Sequence, residues 1–479
     1  MFCASKISFS VDAHTAQPIS FLIIKTKAHI MSAPGETSKM EEKLTVPFCG
    51  PTVKGEPMTA VTWSGSRDIR VVEVDRPALA HPEDIILRVT SSAICGSDLH
   101  LYTGNFPKGS MTKGDILGHE FMGIVHEVGD DVKNLAQGDR VVCCFDISCG
   151  RCDACRHELY TLCDKSNDST AQERLYGDKS GGYFGYSHLT GGWAGGQADY
   201  VRVPFAEQNL LKVPSEHERH GDLDVLLLSD VLCTAWHACE MGNVSKGDTV
   251  AIWGAGPVGI LTAQCAQHRG ANKVLLIDQE KYRLDFAERR LDPRSLVTLN
   301  GRQHQHDGGV AKAVRGVLPH GPDVCIEAVG FHYASTLLHK AEMSLGLETD
   351  PADVMNEIFT TVRKGGRVSV VGVYLGYVNH FNFGCFMEKG LTMKAGQTPV
   401  QRYWKNLLKK IENKDLDPRV VITHELPLED AARAYQIFND KQEGCVKVVL
   451  HTKFYDKHYP SHERGVKDDE DVAETSSPH

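Results

Sequence analysis

The stretch that decides the fold is Thr249-Val250-Ala251-Ile252-Trp253-Gly254-Ala255-Gly256-Pro257-Val258-Gly259. An apolar run typical of a buried strand leads directly into a G-x-G-x-x-G turn, and a helix is predicted from the turn through Ala266. The first glycine permits a tight turn, the second lets backbone approach a pyrophosphate, and the third lets the helix pack on the sheet. The stretch predicts a dinucleotide-binding unit, with a purely structural turn as the alternative.

The next strand is predicted at Lys273-Val274-Leu275-Leu276-Ile277, and Asp278 ends it. A carboxylate at this position accepts hydrogen bonds from the adenosine ribose and repels a 2′-phosphate. Asp278 therefore favours NAD over NADP, although Arg283 lies close by in the sequence and weakens that preference.

Outward from this unit, the chain divides into regions of different pattern. Further strands fit Asp323 to Ile326 and Arg367 to Val371, so strands alternate with helices in the manner of a parallel sheet. Before residue 215, strand-like runs such as 84–89 and 123–128 dominate. After about residue 396 the alternation stops, and we expect the chain to return to the first domain.

The two ends of the chain differ from the middle. Residues 1–57 show no steady period and are predicted to be a disordered or loosely attached extension. Residues 454–479 form a polar tail. A mitochondrial address in the extension is an alternative, because Asp12 is the only acid before Glu36, but arginine is absent there.

Composition excludes several classes of protein. The 479 residues carry a formal net charge of −10, which argues against nucleic-acid and anionic-membrane partners. No apolar run approaches the roughly 18 residues that span a bilayer. Fifteen cysteines in a long chain without a signal peptide indicate metal binding more than disulfides. We expect a reducing, cytoplasmic location.

Four of these cysteines form a compact motif, Cys149, Cys152, Cys155 and Cys163, with the spacing C-x2-C-x2-C-x7-C. Four thiolates this close can surround one zinc ion and leave no open position, which is typical of a structural site. A redox role for the C-x2-C pairs is the alternative, but the third and fourth cysteines in register favour metal.

A second group of possible ligands is scattered along the chain. Cys95 lies in Cys95-Gly96-Ser97-Asp98-Leu99-His100, His119 and Glu120 lie in Gly118-His119-Glu120-Phe121-Met122-Gly123, and Asp230 ends Leu228-Ser229-Asp230. Each also has an ordinary structural interpretation: a buried cysteine, a core histidine, a capping aspartate. Spacing alone cannot bring them together.

Taken as an ordered set over about residues 57–453, these motifs resemble those of the zinc-containing medium-chain alcohol dehydrogenases. Within that family, Leu228-Ser229-Asp230, Gly191-Gly192-Trp193-Ala194-Gly195-Gly196-Gln197 and Gly396-Gln397-Thr398-Pro399 are most similar to the glutathione-independent formaldehyde dehydrogenase branch. The resemblance implies an α/β fold with a GroES-like, β-rich catalytic domain (58–231 plus 397–453). A doubly wound Rossmann domain (232–396) is inserted in it.

The resemblance also implies two zinc ions per chain and NAD as cofactors. Cys95, His119 and Asp230 become ligands of a catalytic zinc, and the four-cysteine motif holds a structural one. Many relatives have cysteine where this chain has Asp230, and the nearby Cys233 is out of register. Glu120 becomes either a partner of the ligands or an alternate ligand.

Roles for the remaining site residues follow from the same resemblance. Ser97 would take the hydroxyl proton of the substrate and pass it through the nicotinamide ribose to His100. The cofactor-binding positions are Thr234, Gly254, Gly256, Pro257, Val258, Gly259, Asp278, Arg283, Val371, Val373 and Gln397. Trp236-His237 departs from the family pattern, which puts the nicotinamide contacts there in doubt.

The sequence therefore predicts an NAD-linked dehydrogenase of a small alcohol or aldehyde hydrate, assembled as a homodimer or tetramer like its relatives. A threonine or polyol dehydrogenase with the same zinc chemistry is one alternative. A non-catalytic, dinucleotide-binding structural or regulatory relative is another, disfavoured because Cys95, His119 and Asp230 are all present.

Overall fold

The computed structural model describes residues 50–106, 109–214, 221–304, 309–330 and 350–455. The strands are β1 (Thr52–Gly65), β2 (Asp68–Pro77), β3 (Ile85–Ile94), β4 (Glu120–Val128), β5 (Arg140–Cys143), β6 (Asp146–Ile147), β7 (Gly182–Tyr183), β8 (Tyr200–Val203), β9 (Leu210–Lys212), β10 (Thr249–Trp253), β11 (Lys273–Asp278), β12 (Leu296–Asn300), β13 (Val324–Glu327), β14 (Asp350–Pro351), β15 (Arg367–Val370), β16 (Val378–Asn379), β17 (Thr392–Ala395), β18 (His424–Pro427) and β19 (Val448–His451).

The helices are α1 (Gly96–Thr103), α2 (Asp153–Arg156), α3 (Thr170–Tyr176), α4 (Ala206–Asn209), α5 (Asp222–Val225), α6 (Val231–Met241), α7 (Pro257–His268), α8 (Lys281–Arg290), α9 (Gly309–Val317), α10 (Asp353–Thr361), α11 (Phe383–Glu388), α12 (Trp404–Glu412) and α13 (Ala431–Asn439). Across the ranges described, none of these helices combines the length and apolar character that a membrane crossing requires.

The first large sheet is built around β3, which is buried along nearly its whole length. β4 pairs with it antiparallel on one side, β19 and β8 also pair with it antiparallel, and β5 and β9 extend the sheet beyond β4. β1 and β2 form a separate antiparallel pair. The β-rich character predicted for this part of the chain is confirmed.

The second large sheet has the order β12-β11-β10-β13-β15-β17, and all its strands are parallel. β13 is buried throughout, β10 is buried except at Thr249 and β11 is buried except at its two ends, as a sheet covered by helices on both faces requires. The strand order reverses between β10 and β13, and ligands of doubly wound folds bind at such a switch point. The predicted parallel sheet is confirmed.

The last part of the chain joins the first sheet. β19 pairs antiparallel with β3, with Val448 opposite Ile94, and β18 pairs with β19.

The ends of the described region differ from expectation in two places. β1 begins at Thr52, inside the stretch predicted as an extension through residue 57, because Thr52 and Pro57 already pair with β2.

At the other end, Tyr455 belongs to the fold although the polar tail was predicted from residue 454. Its ring stacks on His451 at a centroid distance of 3.7 Å, and the Phe454 ring contacts that of Tyr200 at 5.3 Å. Aromatic burial thus extends the folded part by two residues. The rest of the predicted extension and tail, 1–49 and 456–479, lies outside the described residues.

Candidate active site

Four possible metal ligands meet at the junction of three chain segments. Cys95 follows β3 and precedes α1, His119 immediately precedes β4 and Glu120 begins it, and Asp230 immediately precedes α6. One ligand atom from each of the four lies within 4.8 Å of the others. The fold therefore brings together residues that sequence spacing could not connect, in a mixed thiol, imidazole and carboxylate set that suits zinc.

Asp98 fixes the orientation of this cluster. One of its oxygens lies 3.0 Å from His119 Nδ1, and the other accepts a hydrogen bond from the Cys95 backbone N–H at 2.9 Å. With Nδ1 facing Asp98, the Nε2 atom of His119 faces the cluster, 3.5 Å from Asp230 and 3.4 Å from the Ser97 hydroxyl. A carboxylate behind a histidine in this way sets its tautomer for metal binding.

The electrostatics of the cluster favour a cation. Burial raises the pKa of Asp230, but hydrogen bonding and charge from His119 outweigh burial, so the pKa is lowered. Burial opposes protonation of His119, but the Asp98 and Asp230 carboxylates raise its pKa well above its usual range. Of these two carboxylates, Asp230 belongs to the ligand cluster and would hold a metal ion in place of the proton, whereas Asp98 lies behind His119 and would orient it.

Cys233 is not part of the cluster. It lies on α6, one turn beyond Asp230, and its buried thiol donates a hydrogen bond to the Leu228 carbonyl at 3.2 Å. Asp230 also accepts a hydrogen bond from the Thr234 hydroxyl at 2.6 Å, which holds the carboxylate at the start of the helix. The structure thus places the carboxylate, and not this thiol, among the possible ligands.

Glu120 has a partner that the sequence analysis did not find. Lys447, which immediately precedes β19, lies 2.6 Å from one Glu120 oxygen, and both side chains are fully buried. Burial disfavours the lysine ammonium, but the charge of Glu120 raises its pKa, so the ion pair is kept. The second Glu120 oxygen has no hydrogen-bond partner among the described residues and remains available beside the cluster. A lysine in the apolar run 446–450 was the sequence signal, because a buried charge needs a partner.

The four-cysteine motif forms the second cluster. The sulfur atoms of Cys149, Cys152, Cys155 and Cys163 lie within 4.8 Å of one another, with two of the pairs at 4.0 Å. A zinc ion with Zn–S bonds of about 2.3 Å separates its sulfur ligands by roughly 3.8 Å. All four thiols are free and buried, and the backbone N–H groups of Cys149 and Lys165 donate to Cys163 Sγ at 3.3 and 3.4 Å. The arrangement fits a closed structural site.

The glycine turn lies between β10 and α7 and has the shape that a pyrophosphate needs. Gly254 has a φ of +99°, which only glycine adopts at low cost. A Cβ atom on Gly256 would meet only the Arg283 guanidinium, 4.0 Å away, whereas one on Gly259 would lie 1.8 Å from the Gly254 carbonyl oxygen. Space therefore remains at the helix N-terminus, and the third glycine lets α7 pack on the turn.

A single cavity of about 910 Å³ joins the ligand cluster to this turn. It is lined by Cys95, Ser97, His100, His119, Asp230, Thr234, Gly254, Gly256, Pro257, Val258, Asp278, Arg283, Val371, Val373 and Gln397. Glu120 and Gly259, also predicted as site residues, are not among the residues that line it. The Asp278 carboxylate accepts hydrogen bonds from the Ala255 and Glu280 backbone N–H groups at 2.6 and 2.8 Å.

Sequence reasoning missed the aromatic part of the cavity wall. Phe145, Tyr183 and Tyr186 line it beside the ligand cluster, and the Tyr186 ring meets that of His119 edge to face at a centroid distance of 5.8 Å. Tyr186 follows directly from the Tyr183-Phe184-Gly185 run, and an aromatic cluster of that kind in a turn region was the only signal for it.

Comparison with known proteins agrees with this geometry. The family model described as the alcohol dehydrogenase GroES-like domain matches residues 81–215. A zinc-type alcohol dehydrogenase-like protein of Schizosaccharomyces pombe is 40% identical over 423 residues, covering 88% of this chain and 97% of that protein. The chain therefore belongs to the zinc-type alcohol dehydrogenase family, a family of oxidoreductases.

Two further relatives concern formaldehyde. A formaldehyde dismutase of Pseudomonas putida is 34% identical, over 74% of this chain and 87% of that protein. A glutathione-independent formaldehyde dehydrogenase of Pseudomonas aeruginosa is 31% identical, over 79% of this chain and 94% of that protein. Among solved structures, an alcohol dehydrogenase from Thermus sp. ATN1 aligns with a TM-score of 0.67 and 34% identity, over 82% of this chain and all of that one. The predicted family and fold are confirmed.

Proposed function

We propose that the chain is an NAD-linked dehydrogenase that interconverts a small alcohol, or the hydrate of a small aldehyde, with its carbonyl product. The observation that carries this proposal is the continuous cavity, because it holds a metal-ligand cluster at one end and a dinucleotide turn at the other. Such a cavity would let a substrate place its oxygen at a metal held by the cluster and its reacting carbon near the nicotinamide of a bound dinucleotide.

In this proposal Cys95, His119 and Asp230 hold a catalytic zinc, and Cys149, Cys152, Cys155 and Cys163 hold a structural one. Zinc, when bound, supplies Lewis acidity that lowers the pKa of a substrate hydroxyl. NAD binds at the turn formed by Gly254, Gly256 and Gly259, and it supplies the hydride acceptor.

The chain's own residues then move the proton. Ser97 lines the cavity within 3.4 Å of His119 Nε2, so its hydroxyl is beside the position of the substrate oxygen. His100 lies one helical turn further along α1 and also lines the cavity. Ser97 would accept the substrate's hydroxyl proton while its own hydroxyl proton passes through the nicotinamide ribose to His100, whose imidazole can take up a proton and release it to solvent.

The substrate class is proposed from the cavity and from the relatives. A hydrated aldehyde is a gem-diol and so is chemically an alcohol, which the same zinc, Ser97 and His100 could oxidise without free glutathione. The aromatic wall of Phe145, Tyr183 and Tyr186 gives an apolar surface for a short carbon chain.

The test is an NADH-absorbance screen of the purified, zinc-loaded protein. Formaldehyde, short primary alcohols, polyols and threonine are compared with and without glutathione. We expect turnover of formaldehyde or a short alcohol in the absence of glutathione. Turnover of formaldehyde only with glutathione would remove the proposed substrate, and turnover of threonine or polyols alone would favour the alternative dehydrogenases. The proposal further includes a cytoplasmic location. It also includes a homo-oligomer, whose mass gel filtration with light scattering measures.

A further inference from the structure

At the end of the cavity where the adenosine of the cofactor is proposed to bind, there are more cationic side chains than the Asp278 carboxylate alone could balance. Arg283, Arg302 and Lys441 line it beyond the glycine turn, together with Asp278 and Glu280. Arginine and lysine at this end of a Rossmann domain are the residues that recognise the 2′-phosphate of NADP. The cationic side chains of an NADP site are thus present. If NAD is preferred, a second anionic group besides Asp278 must pair with them.

Glu280 engages two of the three. A single oxygen of its carboxylate lies 2.7 Å from Arg302 Nη2 and 3.0 Å from Lys441 Nζ. The Glu280 side chain is 19% exposed, against 58% for Arg302 and 47% for Lys441, so the carboxylate lies inside and the cations lie around it. Burial opposes its ionisation, but the hydrogen bond and charge of Lys441 and the charge of Arg302 lower its pKa.

Three chain segments converge on this carboxylate. Glu280 precedes α8, and its backbone N–H donates to Asp278, so the two acids share one turn. Arg302 follows β12, whose last residue, Asn300, pairs with Asp278. Lys441 follows α13, in the part of the chain that returns to the first sheet. Glu280 therefore neutralises cations from two other chain segments, beside the proposed ribose-binding carboxylate of Asp278.

We propose that Glu280 is a second determinant of cofactor choice, acting with Asp278 to select NAD over NADP. Asp278 repels a 2′-phosphate directly, and Glu280 occupies the two cations that would otherwise pair with it. A phosphate entering this end would have to displace Glu280 and would leave two carboxylates beside it. This inference rests on the proposed NAD-linked function and adds to it the residue that keeps Arg302 and Lys441 from the phosphate.

The test measures cofactor binding directly, without turnover. Dissociation constants for NADH and NADPH are measured by nicotinamide fluorescence for the wild type, for Glu280→Gln and for Glu288→Gln. Glu288 is an exposed acid of the same helix, α8, outside the cavity, so its variant controls for the change in net charge. For Glu280→Gln we expect NADPH to bind at least about tenfold more tightly and NADH to change less than about threefold, as expected for release of one or two charge pairs. The control should leave both constants unchanged.

A second variant identifies the cation responsible. Adding Arg302→Ala to Glu280→Gln should return the NADPH constant towards that of the wild type, and high salt should reduce the gain because the released charges are partly exposed. An unchanged NADPH constant in Glu280→Gln would overturn the proposal. Equal weakening of NADH and NADPH binding would also overturn the proposal and would show that Glu280 only links chain segments of the fold. Wild-type protein that binds NADH but turns over no alcohol or aldehyde would instead refute the proposed function.

Discussion

Asp230 uses its two carboxylate oxygens for different purposes. One faces His119 Nε2 at 3.5 Å inside the ligand cluster, and the other accepts the Thr234 hydroxyl at 2.6 Å. The second contact comes from the next turn of the same helix, so α6 itself orients the possible ligand. A carboxylate is a harder and less electron-donating ligand than a thiolate, which would leave the proposed zinc a stronger Lewis acid.

Two substitutions at this helix start separate Asp230 from Cys233. Asp230→Ala should lose one zinc ion per chain and reduce kcat/KM by at least about a thousandfold, because a proposed ligand of the reacting centre is gone. Cys233→Ser should retain zinc and activity and lose only some stability, since a buried thiol becomes a hydroxyl. Metal analysis and NADH-absorbance kinetics measure both, and the reverse pattern would move the ligand to Cys233.

At the scale of elements, the side chain of Glu327 lies between the loops that follow β13 and β15. An oxygen of Glu327, at the end of β13, accepts hydrogen bonds from the Val329 and Gly330 backbone N–H groups at 2.7 and 2.9 Å. Its other oxygen lies against Gly372, where a Cβ atom would approach it to 2.0 Å. Gly330 and Gly372 both line the cavity, so this carboxylate shapes the wall of the proposed nicotinamide site.

Glu327 should make stability depend on pH. Burial raises its pKa from 4.5 to about 6, and backbone hydrogen bonds from Gly330 and Val329 only partly oppose this. A carboxyl with a raised folded-state pKa stabilises the fold fully below pH 4.5, and that contribution is lost as the pH rises through about 6. The contribution lost between pH values well below 4.5 and well above about 6 amounts to about 2 kcal/mol of unfolding free energy.

Glu327→Gln keeps an acceptor but cannot ionise, so it should lack this dependence. Between about pH 5 and about pH 8 its unfolding free energy should fall about 1 kcal/mol less than that of the wild type. Urea unfolding followed by tryptophan fluorescence measures the difference, with Glu288→Gln as the exposed control. Parallel curves for the wild type and Glu327→Gln would contradict the prediction.

Element prediction worked best where the signal was local. β10 has the predicted bounds, Thr249–Trp253, and β11 differs only by including Asp278. Runs that are buried on both faces must be apolar throughout, which makes them visible in the sequence. The ends of the fold were less visible, because Thr52 to Pro57 are mostly exposed and gain their strand conformation only by pairing with β2.

On the scale of the whole molecule, the two cysteine-containing clusters differ in how they are assembled. Cys149, Cys152, Cys155 and Cys163 come from one short segment, whereas Cys95, His119 and Asp230 require the first sheet and α6 to be in place. The first cluster is buried and closed, and the second lines the cavity. We therefore expect the four-cysteine cluster to stabilise the fold and the cluster that lines the cavity to take part in the reaction.

Metal analysis should find two zinc ions per chain. Cys152→Ala should lose one of them and lower the unfolding temperature markedly, because a closed zinc site contributes folding free energy. Cys95→Ala should also lose one zinc ion and abolish turnover, while the unfolding temperature changes little. Cys239→Ala, which removes a buried thiol of α6 that belongs to neither cluster, is the matched control. One zinc ion per chain at full activity would contradict the prediction.

The candidate site was only partly visible in the sequence. Sequence spacing indicated the four-cysteine cluster, and the family resemblance supplied Cys95, His119 and Asp230. Neither could supply Lys447 or the Glu280 pairs, because these contacts depend on how β19, β12 and α13 meet distant segments. Lys447 and Glu120 are 327 residues apart in the chain, and no local pattern joins residues at such a separation.

That separation has a consequence for synthesis of the protein. β19 lies between β18 and β3 in the first sheet and pairs with the Ser91 to Ile94 part of β3, so this part of one edge stays unpaired until β19 has left the ribosome, whereas β8 pairs with Ile85 to Arg88. Until then Glu120 is also without its cation, and the intervening parallel sheet can fold first as an independent unit. An unpaired strand edge of this kind is a site of misassociation between nascent chains. A stop codon in place of the Lys447 codon should therefore give an aggregating product, even though every proposed zinc ligand and cofactor-binding residue has been made.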